Sequence, residues 1–150
     1  MKTIAEELAK LIDQHRVALQ AIPADKMSFK PSLLKWSRKE IIGHLVDSAQ
    51  SNIRRFIVAQ YEDTPHIVYN QDKWVAIAGY QQWDTNDLII LWYLLNKQIV
   101  AILKNSPEEM RERTCLTQDV HSLEWLAADY VKHLRHHLHM VLELENILYP

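Results

Sequence analysis

The 150-residue chain has a single cysteine, Cys115, so no intrachain disulfide can form and a reducing, cytoplasmic setting is the expectation. Glycine is almost as scarce, with only Gly43 and Gly79. Sheets rich in hairpins need more turn glycine than this, which argues against an all-β fold. A large excess of either charge is missing too: 17 Lys and Arg against 19 Asp and Glu leave a formal net charge of -2. A nearly neutral surface gives no electrostatic reason to bind nucleic acid. No uninterrupted apolar run reaches membrane-spanning length, so no membrane span is expected. The N-terminal stretch MKTIAEELAKLIDQH carries acids where a signal peptide would be apolar. Phosphate-loop and dinucleotide fingerprints are also absent.

What is present is apolar periodicity. Apolar residues make up 48% of the chain, enough for one domain spanning residues 1–150 with a substantial core. Ile4, Leu8, Leu11, Ile12, Val17 and Leu19 recur at helical spacing, and Pro23 ends that helix near Ile22. Residues 23–36 form a connection whose Phe29, Leu33, Leu34 and Trp36 are expected to pack across the domain. Ser37 with Glu40 makes a capping box for a helix running to about Gln60, with Gly43 inside it marking a close backbone approach. A short helix around Trp74 and Ile77 follows a loop. Asp84 or Thr85 caps a third long helix to about Lys104. After a polar connection with a helical turn near Glu108–Arg111, Ser122 caps a last helix from Leu123 to about Leu148. Four long helices without a strand pattern predict an all-α bundle with short accessory helices.

Eight histidines remain, five of them between His121 and His139. At about 100° per residue, Leu126, Tyr130, Leu134, Val141, Leu144 and Leu148 fall within roughly an 80° arc of the last helix. His137 lies inside that arc and His133 at its edge, four positions apart on one stripe. His136 and His139 point toward solvent. In the second long helix His44, Ser48 and Asn52 run along one flank of the apolar side. If His44 faces His133 and His137, three neutral imidazoles could hold zinc, nickel, iron or cobalt with positions open for water. The same positions also fit polar core histidines bonded to Ser48, Asn52, Tyr130 or backbone carbonyls.

Three blocks carry a resemblance: Trp36-Ser-Arg-Lys-Glu-Ile-Ile-Gly-His44-Leu-Val-Asp47-Ser48 continuing through Asn52 to Arg55-Phe56; Tyr69-Asn-Gln-Asp72-Lys-Trp74; and Tyr130-Val-Lys-His133-Leu-Arg-His136-His137-Leu-His139. Together they resemble the DinB/YfiT-like metalloenzyme superfamily, and its YfiT-like branch most. The resemblance implies a four-helix bundle with an up-down-down-up course. It also implies a divalent metal on His44, His133 and His137, zinc or nickel foremost and iron third. The implied chemistry is metal-dependent hydrolysis or transfer of a low-molecular-weight thiol to a small-molecule substrate, in a homodimer. A non-enzymatic protein clamped by a metal is the other reading of the same histidines.

Four further residues are candidates for the surroundings of the site. Asp47, on the more polar side of its helix, could orient an imidazole or serve its own helix surface. Asn52 could bond a substrate or bridge helices. Arg55 could attract a carboxylate or stand in solvent. Asp72 could approach the pocket mouth, or cap the short helix that contains Trp74. Cys115 lacks an activating motif and reads as an inert thiol.

Overall fold

The structure is a computed structural model and describes residues 1–149. Helix α1 (Lys2–Gln20) buries Ala5, Leu8, Leu11, Ile12, His15 and Leu19, a stripe of threes and fours. A short α2 (Ala24–Ser28) interrupts the first connection. Helix α3 (Arg38–Val58) opens on the capping box: Ser37 accepts from Glu40 N, and Glu40 reaches back to Ser37 N at 2.7 Å. Helix α4 (Gln71–Ala78) ends at Gly79, whose φ of +63° is the left-handed turn that glycine accommodates. Helix α5 (Thr85–Asn105) starts on Asp84, and α6 (Leu123–Leu142) on Ser122, each side chain accepting from the first turn.

Side-chain contacts between helices fix the course of the bundle. Gln20 at the end of α1 bonds Asn86 at the start of α5, so these two run antiparallel. Lys39 bonds Trp83 O just before α5, and Gln60 bonds Ser106 at the far end, so α3 and α5 run parallel. Arg38 at the start of α3 pairs with Glu143 at the end of α6, which makes α3 and α6 antiparallel. The Arg135–Glu7 pair and the His15–His139 ring contact align α6 with α1. The four long helices are therefore up, down, down and up. Helix α5 is the one described helix long and apolar enough to cross a membrane, with mean hydropathy 1.3. Its Leu88, Ile89, Trp92, Ile99 and Leu103 are instead buried in the bundle, beside α1 and α3.

Several details differ from the sequence reading. The last helix stops at Leu142 because Glu143 turns left-handed at φ 55°, and the chain then folds back along α6. Leu144 and Leu148 are therefore exposed and lie outside the apolar stripe. His136 and His139 do not face open solvent. Their Nδ1 atoms donate to Ile147 O and Glu145 O of the returning tail, at 2.5 and 2.7 Å. Strands are present after all, as an antiparallel hairpin of β1 (Thr114–Leu116) and β2 (Val120–Ser122). Phe29, Leu33 and Leu34 do not pack across the core: Leu33 and Leu34 are 95% and 97% exposed. Val17 is also exposed.

Gly43 is the close approach anticipated within α3. A Cβ built there would lie 2.1 Å from Tyr80 Cδ2 and 2.3 Å from its Cγ, so the tyrosine ring sits directly on the helix backbone. Tyr80 comes from a single 3₁₀ turn, Tyr80–Gln82, between α4 and α5.

Candidate metal centre

His44 enters from the second turn of α3, and His133 and His137 from consecutive turns of the antiparallel α6. His44 Nε2 and His133 Nε2 are 3.1 Å apart, and one ring nitrogen from each of the three lies within 4.8 Å of the others. The rings meet edge to face, with centroids 4.5–5.1 Å apart. This is the trio anticipated from helical phase. His136, adjacent to His137, is turned onto the tail instead.

Burial drives all three imidazoles neutral. It lowers His44 to about 4, against a raising influence from the Asp72 carboxylate. Burial, followed by repulsion from the cationic forms of His137, His44 and His136, lowers His133 to about 2. His137 falls to about 3, through burial and then His44 and His136. Neutral rings keep the lone pairs a metal requires. Among the described residues, Nδ1 of each ring is buried without a hydrogen-bond partner. Two of the side chains that a plain polar core would use bond elsewhere. Asn52 Nδ2 donates to Ser48 O at 2.9 Å, and Tyr130 OH donates to Asn96 at 2.7 Å. Three neutral nitrogen donors with no carboxylate among them fit a divalent transition ion, with zinc, nickel and iron all suited.

The four flanking candidates separate into two sides and one exception. Asp47 is the exception. It is 2% exposed rather than on a polar face, and it accepts from Tyr80 OH at 2.5 Å rather than from an imidazole. Burial raises its carboxyl to about 6, although the Tyr80 hydrogen bond works in the other direction. Asp72 does not cap α4, since Asn70 does so by accepting from Lys73 N at 3.0 Å. Asp72 lines instead a cavity of about 880 Å³ that reaches His137. Phe29, Leu34 and Trp36 of the first connection form part of its wall, so that segment shapes an entrance rather than a core. Trp36 also lies against His44, with ring centroids 5.2 Å apart.

On the other side, Asn52 and Arg55 line a smaller cavity of about 160 Å³ that includes His133. Arg55 is half-buried, not free in solvent; its Nε and Nη2 both donate to Ile67 O at 3.1 Å. Two members of this wall escaped the sequence reading. Asp129 precedes His133 by four residues, a helical spacing that could have pointed to it. Tyr149 arrives from the folded-back tail and donates to Asp129 Oδ2 at 2.8 Å; no sequence signal marks that return. Trp74 packs on Tyr69 at 5.1 Å and belongs to neither the trio nor the core. Cys115 is buried, donates to Pro65 O at 3.1 Å, and has its thiol pKa pushed up by burial.

Comparison with known proteins agrees with this architecture. In sequence, the chain is 26% identical over 113 residues to the Bacillus subtilis (strain 168) protein named "Putative metal-dependent hydrolase YfiT". The alignment covers 73% of this chain and 64% of that protein's length. The solved structure of B. subtilis YfiT, described as an unusual four-helix bundle, superposes with a TM-score of 0.85 at 20% identity, covering 94% of this chain and 83% of that one. A mycothiol-dependent maleylpyruvate isomerase shares the fold with a TM-score of 0.77 at 16% identity, over 97% of this chain and 62% of its own. The family model of the DinB superfamily matches residues 5–141, nearly the whole bundle, and the chain belongs to that superfamily.

Proposed function

We propose that this chain is a divalent-metal-dependent enzyme, a hydrolase or a low-molecular-weight-thiol S-transferase, with His44, His133 and His137 as its metal ligands. The observation that carries the reading is the convergence of three neutral imidazoles beside a cavity of about 880 Å³. A divalent ion held by these three histidines would supply Lewis acidity to a water or a thiol. The cluster numbers three among the described residues, and a site with three protein ligands leaves room for a reactant. That favours an enzyme over a closed structural clamp. The likeness to YfiT, named as a metal-dependent hydrolase, supports hydrolysis, and the mycothiol dependence of the isomerase supports a thiol cosubstrate.

The surrounding residues would position the reactants. Phe29, Leu34 and Met140 offer an apolar wall, so the substrate is a small molecule with an apolar portion. Asp72, whose charge is felt at His44, would orient a polar group or accept a proton at the cavity mouth. Zinc and nickel are the first choices for the ion, with iron third. The reading also includes a homodimer in the reducing cytoplasm, where a buried, unpaired Cys115 would stay reduced.

The test is turnover. Zinc- or nickel-loaded protein is assayed against a panel of esters and amides, and separately with a thiol and an electrophile such as a haloalkane. The reading requires metal-dependent product formation in one arm, abolished in His137→Ala. Inertness in both arms, together with a large metal-induced rise in melting temperature, would favour the structural clamp.

A further inference from the structure

The smaller cavity lies on the His133 side of the cluster and has a mostly polar wall. It contains one cation, Arg55 of α3, and one anion, Asp129 of α6, with Ser48 and Asn52 of α3 and Tyr69 also in its wall. Neither charge is neutralised by a contact ion pair among the described residues. Both keep bonding capacity in reserve. A guanidinium has five N–H donors. Arg55 uses one on Nε, one on Nη2 and one on Nη1, the last to Asn52 Oδ1 at 3.4 Å, leaving two. Asp129 Oδ2 is taken by Tyr149, but Oδ1 accepts no hydrogen bond among the described residues.

The size and the charge together restrict the occupant. A cavity of about 160 Å³ is small for a ligand pocket, so the part of a ligand seated between these two charges is small. A small anion would satisfy Arg55 and be repelled by Asp129; a small cation would do the reverse. A ligand that is neutral overall and carries both charges satisfies the two walls at once. We propose that this cavity is a binding site for a small α-amino acid in its zwitterionic form, with the carboxylate on Arg55 and the ammonium on Asp129. Its side chain would then be directed within a cavity that shares His133 with the metal centre. Binding there does not require a metal, so the site stands or falls separately from the proposed catalysis.

The experiment is isothermal titration of the full chain with L-serine, once after chelation and once after loading with zinc. Acetate and methylammonium serve as probes carrying one charge each. The proposal requires binding of one L-serine per chain in both metal states, and at least about tenfold weaker binding of either half-ligand, the loss of one charge-assisted hydrogen bond. Asp129→Asn keeps the acceptor for Tyr149 and should also weaken serine by about tenfold or more. Arg55→Gln should do the same. Since loss of the bonds to Ile67 could unfold that variant, the Arg55 Nε–H resonance of the wild-type protein is followed as well, and it should shift on addition of serine. No heat and no resonance shift at millimolar serine would overturn the proposal. So would serine binding that Asp129→Asn leaves unchanged, or acetate binding as tightly as serine.

Discussion

His44 and His133 hold their Nε2 atoms 3.1 Å apart, although 89 residues separate them in sequence. Two imidazoles at that distance can share one proton, or both can direct lone pairs at a common cation. The third ring, His137, decides between these arrangements. One of its ring nitrogens falls within 4.8 Å of the other two, where a further neutral ring gains little from a single shared proton. A divalent ion would use all three lone pairs and supply the positive charge that burial denies to the rings themselves.

This burial predicts how the metal-free protein responds to acid. The folded-state values of about 4, 2 and 3 for His44, His133 and His137 lie below the ordinary histidine value of 6.5. As pH falls below about 6.5 the unfolded chain takes up protons that the folded chain refuses, so stability is lost progressively toward about pH 4 and below. Urea unfolding of chelated protein at about pH 7 and about pH 5 should show a clear drop in midpoint. His133→Gln, with one fewer buried imidazole, should show a smaller drop. An equal or larger drop in the variant would mean that these rings are not the titrating groups.

Asp47 predicts a dependence of opposite sign. Its carboxyl is raised to about 6 from an ordinary 3.8, so folding favours the protonated form. Its contribution is therefore most favourable below about pH 4 and declines as pH rises through about 6. One oxygen accepts from Tyr80, while the other is buried without a partner. Asp47→Asn should raise unfolding free energy at neutral pH by on the order of 2 kcal/mol, and the gain should vanish near pH 4. Paired urea titrations of chelated protein check both the size and the pH window.

Gly43 predicts a steric effect. Alanine would normally favour a helix interior by about 1 kcal/mol over glycine. Here the added methyl would collide with the Tyr80 ring, so Gly43→Ala should instead destabilise the fold by about 1–3 kcal/mol. Combining it with Tyr80→Ala should cost less than the sum of the two single changes, because the ring that clashes is gone. Additive losses in urea unfolding would argue against the contact.

The parts of this molecule legible in the sequence are those governed by side-chain identity at fixed spacing. Ser37 with Glu40, Asp84 and Ser122 cap their helices because short polar side chains satisfy free N–H groups, and each does so here. The His133–His137 stripe follows from helical geometry alone. Other features depend on backbone atoms, which every residue carries alike. The tail returns along α6 by offering Glu145 O and Ile147 O to histidines, and the helix ends at a left-handed glutamate with no glycine or proline to announce it. The burial of Asp47 is hidden from the sequence for a related reason. A polar helix flank looks exposed until another element, here the turn carrying Tyr80, is known to cover it. The exposure of Leu33 and Leu34 runs against their hydrophobicity, and only the cavity wall beside them gives Leu34 a context.

The most direct test of the account is the metal content of the protein purified without an affinity tag or chelator, measured by elemental mass spectrometry. It is made beside His44→Ala, His133→Ala, His137→Ala and His136→Ala. The account predicts a divalent metal at one equivalent per chain in the wild-type protein and in His136→Ala, whose ring is turned onto the tail, and its loss in the other three. Protein that holds no metal even after anaerobic repletion with zinc, nickel and iron would contradict it, as would equal retention by all four variants.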